Sequence, residues 1–89
     1  MKLISVERSL QVFYRKNDEL VIEYPVEMEL DILKHVVKGM KNDEQLYRNY
    51  HLNKSQTIKI LSKLNLCMKV EMKTYRYFLD CTGIYDWNK

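Results

Sequence analysis

Two histidines, His35 and His51, are the side chains best suited to trading protons near neutral pH, and Cys67 and Cys81 are the only thiols. A histidine pair set among lysines is the equipment of an acid–base ribonuclease. That chemistry needs both imidazoles converging on one phosphate within hydrogen-bond reach. Nothing in the spacing enforces it, since His35 falls on the polar or boundary side of an amphipathic stretch and His51 in a connection. No HxxxH, HxH or acidic cluster with ligand spacing accompanies them, so no metal site is expected. The cysteines are too far apart for a CxxC redox or zinc-knuckle pattern and read, in a reducing cytosol, as two small buried hydrophobes rather than a disulfide. The expectation is a non-enzymatic protein without a cofactor.

The elements that position these residues start with Leu10 to Val26. Leu10, Val12 and Tyr14 alternate with polar or mixed positions, and Leu20, Ile22, Tyr24 and Val26 alternate again, the period-2 signature of two half-buried strands. Both apolar sets fall on even numbers, so an odd loop is needed for them to share one face. A three-residue Lys16-Asn17-Asp18 loop meets that condition. It sets Tyr14 opposite Leu20, Val12 opposite Ile22, Leu10 opposite Tyr24 and Arg15 opposite Glu19. The first strand extends back to Leu3, with a bulge or strand end expected near Arg8-Ser9, where Arg8 interrupts the apolar side. Pro25 cannot donate to a ladder, so it ends the second strand and marks an edge.

Leu30, Leu33, Val36 or Val37 and Met40 follow at helical spacing. Acids lie near the start (Glu27, Glu29, Asp31) and lysines toward the end (Lys34, Lys38, Lys41), which suits the helix dipole, and Gly39 is a natural stop. Leu46, Tyr47, Tyr50 and Leu52 read as anchors pinning a loop to the core. Asn53 and Gln56 have capping-box spacing and predict a second helix from Lys54 to about Leu64, burying Ile58, Leu61 and Leu64 with Ile60 at the margin. Asn65 suits a left-handed terminus. Leu66 to Lys73 is either a strand or an irregular connection. Tyr75 to Cys81 is the third strand, and Tyr85 and Trp87 are expected to cap the core.

Assembled, these give an α+β domain spanning residues 1–89: a three-stranded antiparallel sheet in the order 2-1-3 with two helices packed on one face. Phe13, Val21 and Phe78 emerge on the other face among Gln11, Glu23, Arg76 and Asp80. The 89 residues bound one small core, and 46% hydrophobic with 30% charged residues is a globular composition. No stretch has the length of a membrane span or of a signal-peptide core, so the expected protein is cytoplasmic and has no membrane partner. Open edges of the sheet leave room for a homodimer.

The net charge of +3 conceals an uneven layout. From Asp18 through Asp31 there are six acids and no lysine or arginine; from Lys34 through Arg76 there are ten basic residues against three acids. Arg48, Lys54, Lys59 and Lys63, with Lys69, could line a basic stripe beside Tyr47 and Tyr50, the makings of a nucleic-acid surface. Yet the connection between the helices is much longer than the tight turn of a helix-turn-helix, and a solvated amphipathic helix carries such lysines anyway. Nucleic acid is therefore the alternative partner rather than the expected one.

The ordered run DELVIEYP (Asp18–Pro25), LYxxYxL (Leu46–Leu52) and YxYFLxC (Tyr75–Cys81) resembles a family of small bacterial immunity proteins found beside polymorphic toxins, including contact-dependent growth inhibition systems. The resemblance implies a cytoplasmic inhibitor that binds the C-terminal toxin domain of its own locus and covers or distorts its active site. Members of that family tend to be acidic, whereas this chain is basic. If the toxin is a nuclease with a cationic cleft, the acidic segment is the local match, which makes Glu19, Glu23, Glu27, Glu29 and Asp31 candidate contacts, with Tyr24, Phe13 and Phe78 as anchors. Alternatively, the basic second helix meets an acidic patch on the toxin.

Overall fold

The computed structural model describes residues 2–37, 43 and 46–86. Its strands are β1 (Lys2–Tyr14), β2 (Leu20–Pro25), β3 (Tyr50–Leu52) and β4 (Tyr75–Asp86), and its helices α1 (Leu30–Val36) and α2 (Lys54–Lys63). The fold is α+β, with an antiparallel sheet in the order β2-β1-β4-β3. This corrects the three-stranded expectation. The added strand is Tyr50-His51-Leu52, which pairs Tyr50 with Leu79, His51 with Phe78 and Leu52 with Tyr77. Three residues are too few for alternation to stand out from a loop. The other strand neighbours agree with the sequence: β1 lies between β2 and β4, and Pro25 ends a β2 that is an edge.

The hairpin reaches its register by another route than the one expected. Leu10 faces Tyr24 and Val12 faces Ile22, but Phe13, not Tyr14, faces Leu20. Tyr14 N–H bonds to the Glu19 carbonyl at 2.9 Å across a loop of four residues, and Val21 is the extra residue of a bulge in β2. An even loop plus one bulged residue restores the parity that the apolar pattern requires. Asp18 sits at φ 56° in the left-handed region and Asn17 Oδ1 accepts the Glu19 N–H at 3.1 Å, so side-chain turn chemistry stabilises the longer loop. Two expectations fail as a result. Leu20 turns to the outer face and is exposed, and Arg15 turns to the segment before β4, bonding the carbonyls of Met72 and Thr74 instead of facing Glu19. There is no break at Arg8-Ser9. The ladder with β4 runs through both, and the β1–β4 register shifts instead between Leu3 and Ser5.

The core lies between the inner sheet face and both helices. Leu10, Val12, Leu52, Tyr77 and Leu79 meet Leu33 and Val36 of α1 and Ile60 and Leu61 of α2, closed by Val26, Val37 and Leu46. Burying each large aliphatic side chain contributes about 1.5–3 kcal/mol. Tyr77 is fully buried, and its hydroxyl accepts the Glu71 N–H at 3.0 Å.

Helix α2 begins as its sequence predicts. Asn53 Oδ1 accepts the Gln56 N–H at 2.8 Å, Gln56 Oε1 accepts the Asn53 N–H at 2.9 Å, and Asn65 at φ 58° follows its end. Its buried stripe differs from the expected one: Thr57, Ile60 and Leu61 are buried and Ile58 is 46% exposed. Thr57 takes the inward place because its hydroxyl is satisfied on the Asn53 carbonyl at 2.8 Å, and this rotates Ile58 outward. After α2, Leu66, Met68, Val70 and Met72 pack against the core without belonging to a strand. Cys67 and Lys69 alternate outward, so Cys67 is exposed rather than buried, while Cys81 is half-buried on β4; both are free thiols. The stop expected at Gly39, the contact of Met40, the Lys38 and Lys41 ends of the helix and the Trp87 cap lie outside the described residues, as does the Tyr85 side chain.

Candidate interaction surface

With both helices on the inner face, no described element covers the other side of the sheet. Alternation sends Glu7, Ser9, Gln11 and Phe13 of β1, Arg76, Phe78, Asp80 and Thr82 of β4, Glu23 of β2 and His51 of β3 to this outer face. An aromatic row crosses its centre. Phe13 and Phe78 meet edge to face at 5.6 Å and 83°, and His51 stacks on Phe78 at 5.0 Å and 26°. A depression of about 250 Å³ lies between Gln11, Phe13, Asp18, Asn49 and Phe78.

A polar ring with fixed geometry surrounds the aromatics. Glu23 Oε2 accepts from Gln11 Nε2 at 2.8 Å and from Ser9 Oγ at 2.9 Å, both from the neighbouring strand. Asn49 Nδ2 donates to Asp80 Oδ1 at 3.0 Å and reaches Gln11 Oε1 at 3.5 Å, and Thr82 Oγ1 donates to Asp80 Oδ2 at 3.4 Å. Arg76 bridges to Asp18 at 3.3 Å at the hairpin end.

Of the candidate contact residues, Phe13, Phe78 and Glu23 come together here. The others do not. Tyr24 points inward, half-buried against the core, because it shares the face of Leu10, its cross-strand partner. Glu19 is exposed beside the hairpin loop. Glu27 lies in the connection from β2 to α1, at a hollow of about 560 Å³ beside the edge that β2 vacates after Pro25. Glu29 and Asp31 are exposed at the start of α1, where the Glu29 carbonyl takes the N–H groups of Ile32 and Leu33. The acids are one segment in sequence and four places in space.

Lys54, Lys59 and Lys63 are all exposed on α2 but do not line one stripe. At 3.6 residues per turn Lys54 lies about 140° round the helix from Lys59 and about 180° from Lys63. Arg48 belongs to the loop before β3. There the buried Asp43 carboxylate accepts the Tyr50 hydroxyl and the N–H groups of Tyr47 at 2.9 Å and Arg48 at 3.0 Å. Tyr50 is thus half-buried and committed to Asp43, while Tyr47 is exposed. The Tyr50 hydroxyl, ahead of the two backbone donors, holds the Asp43 carboxyl below the usual aspartate range against the opposing effect of its burial. Burial pushes the Cys81 thiol up, against the nearby Arg8 charge.

Four residues of this arrangement are not among the contacts expected from the sequence: His51, Asn49, Ser9 and Asp43. The first had only the apolar Tyr50 and Leu52 on either side of it, an alternation too short to tell from a loop. Asp43 had no signal, since its partners, the Tyr50 hydroxyl and two backbone N–H groups, are brought to it by the loop. Among the described residues no group of three or more His, Cys, Asp or Glu could hold a metal ion, and no helix is long and apolar enough to cross a membrane.

Fold and surface together define a small α+β domain whose helices shield one sheet face and leave the other, aromatic at the centre and acidic at the rim, uncovered. The chain belongs to the family described as a domain of unknown function, DUF7683, whose model matches residues 7–80. No curated protein and no solved structure matches it.

Proposed function

We propose that the chain is an immunity protein, a non-enzymatic inhibitor that binds the toxin domain of its own locus and covers or distorts its active site. The observation that carries this reading is the outer sheet face, where Phe13, Phe78 and His51 form an aromatic centre inside a polar ring of Glu23, Gln11, Asn49 and Asp80. An aromatic centre within a hydrogen-bonded polar rim is the anatomy of a protein–protein interface. The likeness of DELVIEYP, LYxxYxL and YxYFLxC to immunity proteins supports a toxin as the partner. Glu23, Asp80 and Glu7 on this face suit a toxin with a cationic cleft, as a nuclease has, and opposite potentials speed the encounter and fix its orientation.

The alternative, a nucleic-acid-binding regulator acting through Arg48, Lys54, Lys59 and Lys63, has less behind it. Lys54 lies on the other side of α2 from Lys59 and Lys63, and the aromatic outer face is rimmed with carboxylates that repel phosphate.

The test is a titration of the purified chain against the toxic C-terminal domain encoded immediately upstream, with duplex RNA and DNA as controls. The expected result is one-to-one binding near nanomolar, about −12 kcal/mol, and none to the nucleic acids. Binding to nucleic acid alone would overturn the assignment.

A further inference from the structure

We infer that the depression between Phe13 and Phe78 is an arginine subsite, which receives a guanidinium-bearing side chain from a basic segment of a protein partner. The inference rests on the binding reading above and names the chemistry of what is bound.

The floor of the depression is aromatic, and Phe78 already carries a flat ring in parallel, the His51 imidazole at 5.0 Å and 26°. A guanidinium is planar, more weakly hydrated than an ammonium and stacks on aromatic rings, so such a floor favours arginine over lysine. Its methylenes would lie along the same rings. The walls supply acceptors. Asp18 lines the depression, is exposed, and already takes one guanidinium, that of the chain's own Arg76 at 3.3 Å. Gln11 and Asn49 line it too and carry amide oxygens.

The charge of the face points the same way. With Arg76 and Asp18 paired, its remaining carboxylates are Glu7, Glu23 and Asp80, on a chain whose formal net charge is +3. A negative face on a positive protein orients a cationic partner toward this side of the sheet. Glu23 is held by Ser9 and Gln11, and Asp80 by Asn49 and Thr82, so these acceptors give up little freedom when a cation docks.

The experiment uses the full chain, isotope-labelled, and two capped peptides of sequence Gly-Arg-Gly-Arg-Gly and Gly-Lys-Gly-Lys-Gly, titrated at low salt and followed by NMR. The arginine peptide is expected to shift the amides of Gln11, Phe13, Asp18 and Phe78 and to bind more tightly than the lysine peptide, by no more than the roughly 2–5-fold that a whole exposed cation–π contact supplies. Phe78→Leu, which keeps an apolar side chain, is expected to erase that margin, and Asp18→Asn to weaken both peptides. Equal binding of the two peptides, or shifts that map to Glu27–Asp31, would overturn the subsite. Toxin-domain binding with no response to the arginine peptide removes the subsite and leaves the immunity reading standing; the reverse pattern removes the toxin and keeps the subsite.

Discussion

Gln56 Nε2 donates to the Val36 carbonyl at 3.2 Å, while Oε1 of the same side chain accepts the Asn53 N–H at 2.9 Å. One amide therefore closes the end of α1 and the start of α2. Gln56→Ala is expected to cost about 1–2 kcal/mol in denaturant unfolding, the scale of a lost cap plus one hydrogen bond. Gln56→Glu keeps the acceptor for Asn53 but sets a carboxylate oxygen against the Val36 carbonyl. Hydrogen exchange should then quicken in the last turn of α1 while the first turn of α2 stays protected.

Asp43 and Tyr50 give the loop before β3 a pH dependence. The folded-state pKa of Asp43 is depressed, so its contribution is present above the unfolded-state value and is lost as pH falls through the folded one. Tyr50→Phe removes the largest cause of the depression. The variant should be less stable than the parent at neutral pH, and the gap should narrow as pH drops below the aspartate range. A gap that is constant from neutral pH to acid would refute the linkage.

Tyr77 is buried with its hydroxyl on the Glu71 N–H. Tyr77→Phe keeps the packing and strands that donor, at a cost of about 1–3 kcal/mol. Thermal melting reads the loss, and a melting temperature equal to that of the parent would show that the N–H finds another acceptor.

Asn65 at φ 58° ends α2 in a conformation that branched side chains resist. Asn65→Gly should leave stability within about 0.5 kcal/mol and Asn65→Val should lower it by about 1–2 kcal/mol, a contrast measurable by chemical denaturation.

Phe13 and Phe78 are coupled across the outer face at 5.6 Å. A double-mutant cycle to alanine should return a stability coupling of about 0.5–1.5 kcal/mol. A zero coupling would mean that the two rings do not act as one surface.

Much of this architecture was legible because its signals are local. The Asn53–Gln56 capping box, the left-handed Asn65, the edge proline and the even-numbered inner face of β1 each depend on residues a few positions apart. The errors arise where a distant partner decides. Four loop residues plus a bulge at Val21 satisfy the same parity rule as a loop of three, and only pairing tells them apart. Ile58 looked like core, but Thr57 found the Asn53 carbonyl and took the inward place. The strand at His51 exists because β4 offers it an edge. The candidate surface was half visible: parity put Phe13, Phe78 and Glu23 on one face, whereas Tyr24 shares the opposite parity and went to the core.

Leu10 meets Leu79 and Val12 meets Tyr77, so the middle of the sheet joins strands from opposite ends of the chain. This bears on the order in which the protein can assemble. The β1–β2 hairpin is made well before β4, and until β4 follows the apolar side chains of β1 have no sheet neighbour on their other flank. Closing so long a loop costs chain entropy before any contact repays it, which places this pairing late and makes folding slow for the size of the chain. A nascent chain halted before Tyr75 lacks the centre of its sheet, not an edge, and exposes an apolar strand throughout the wait.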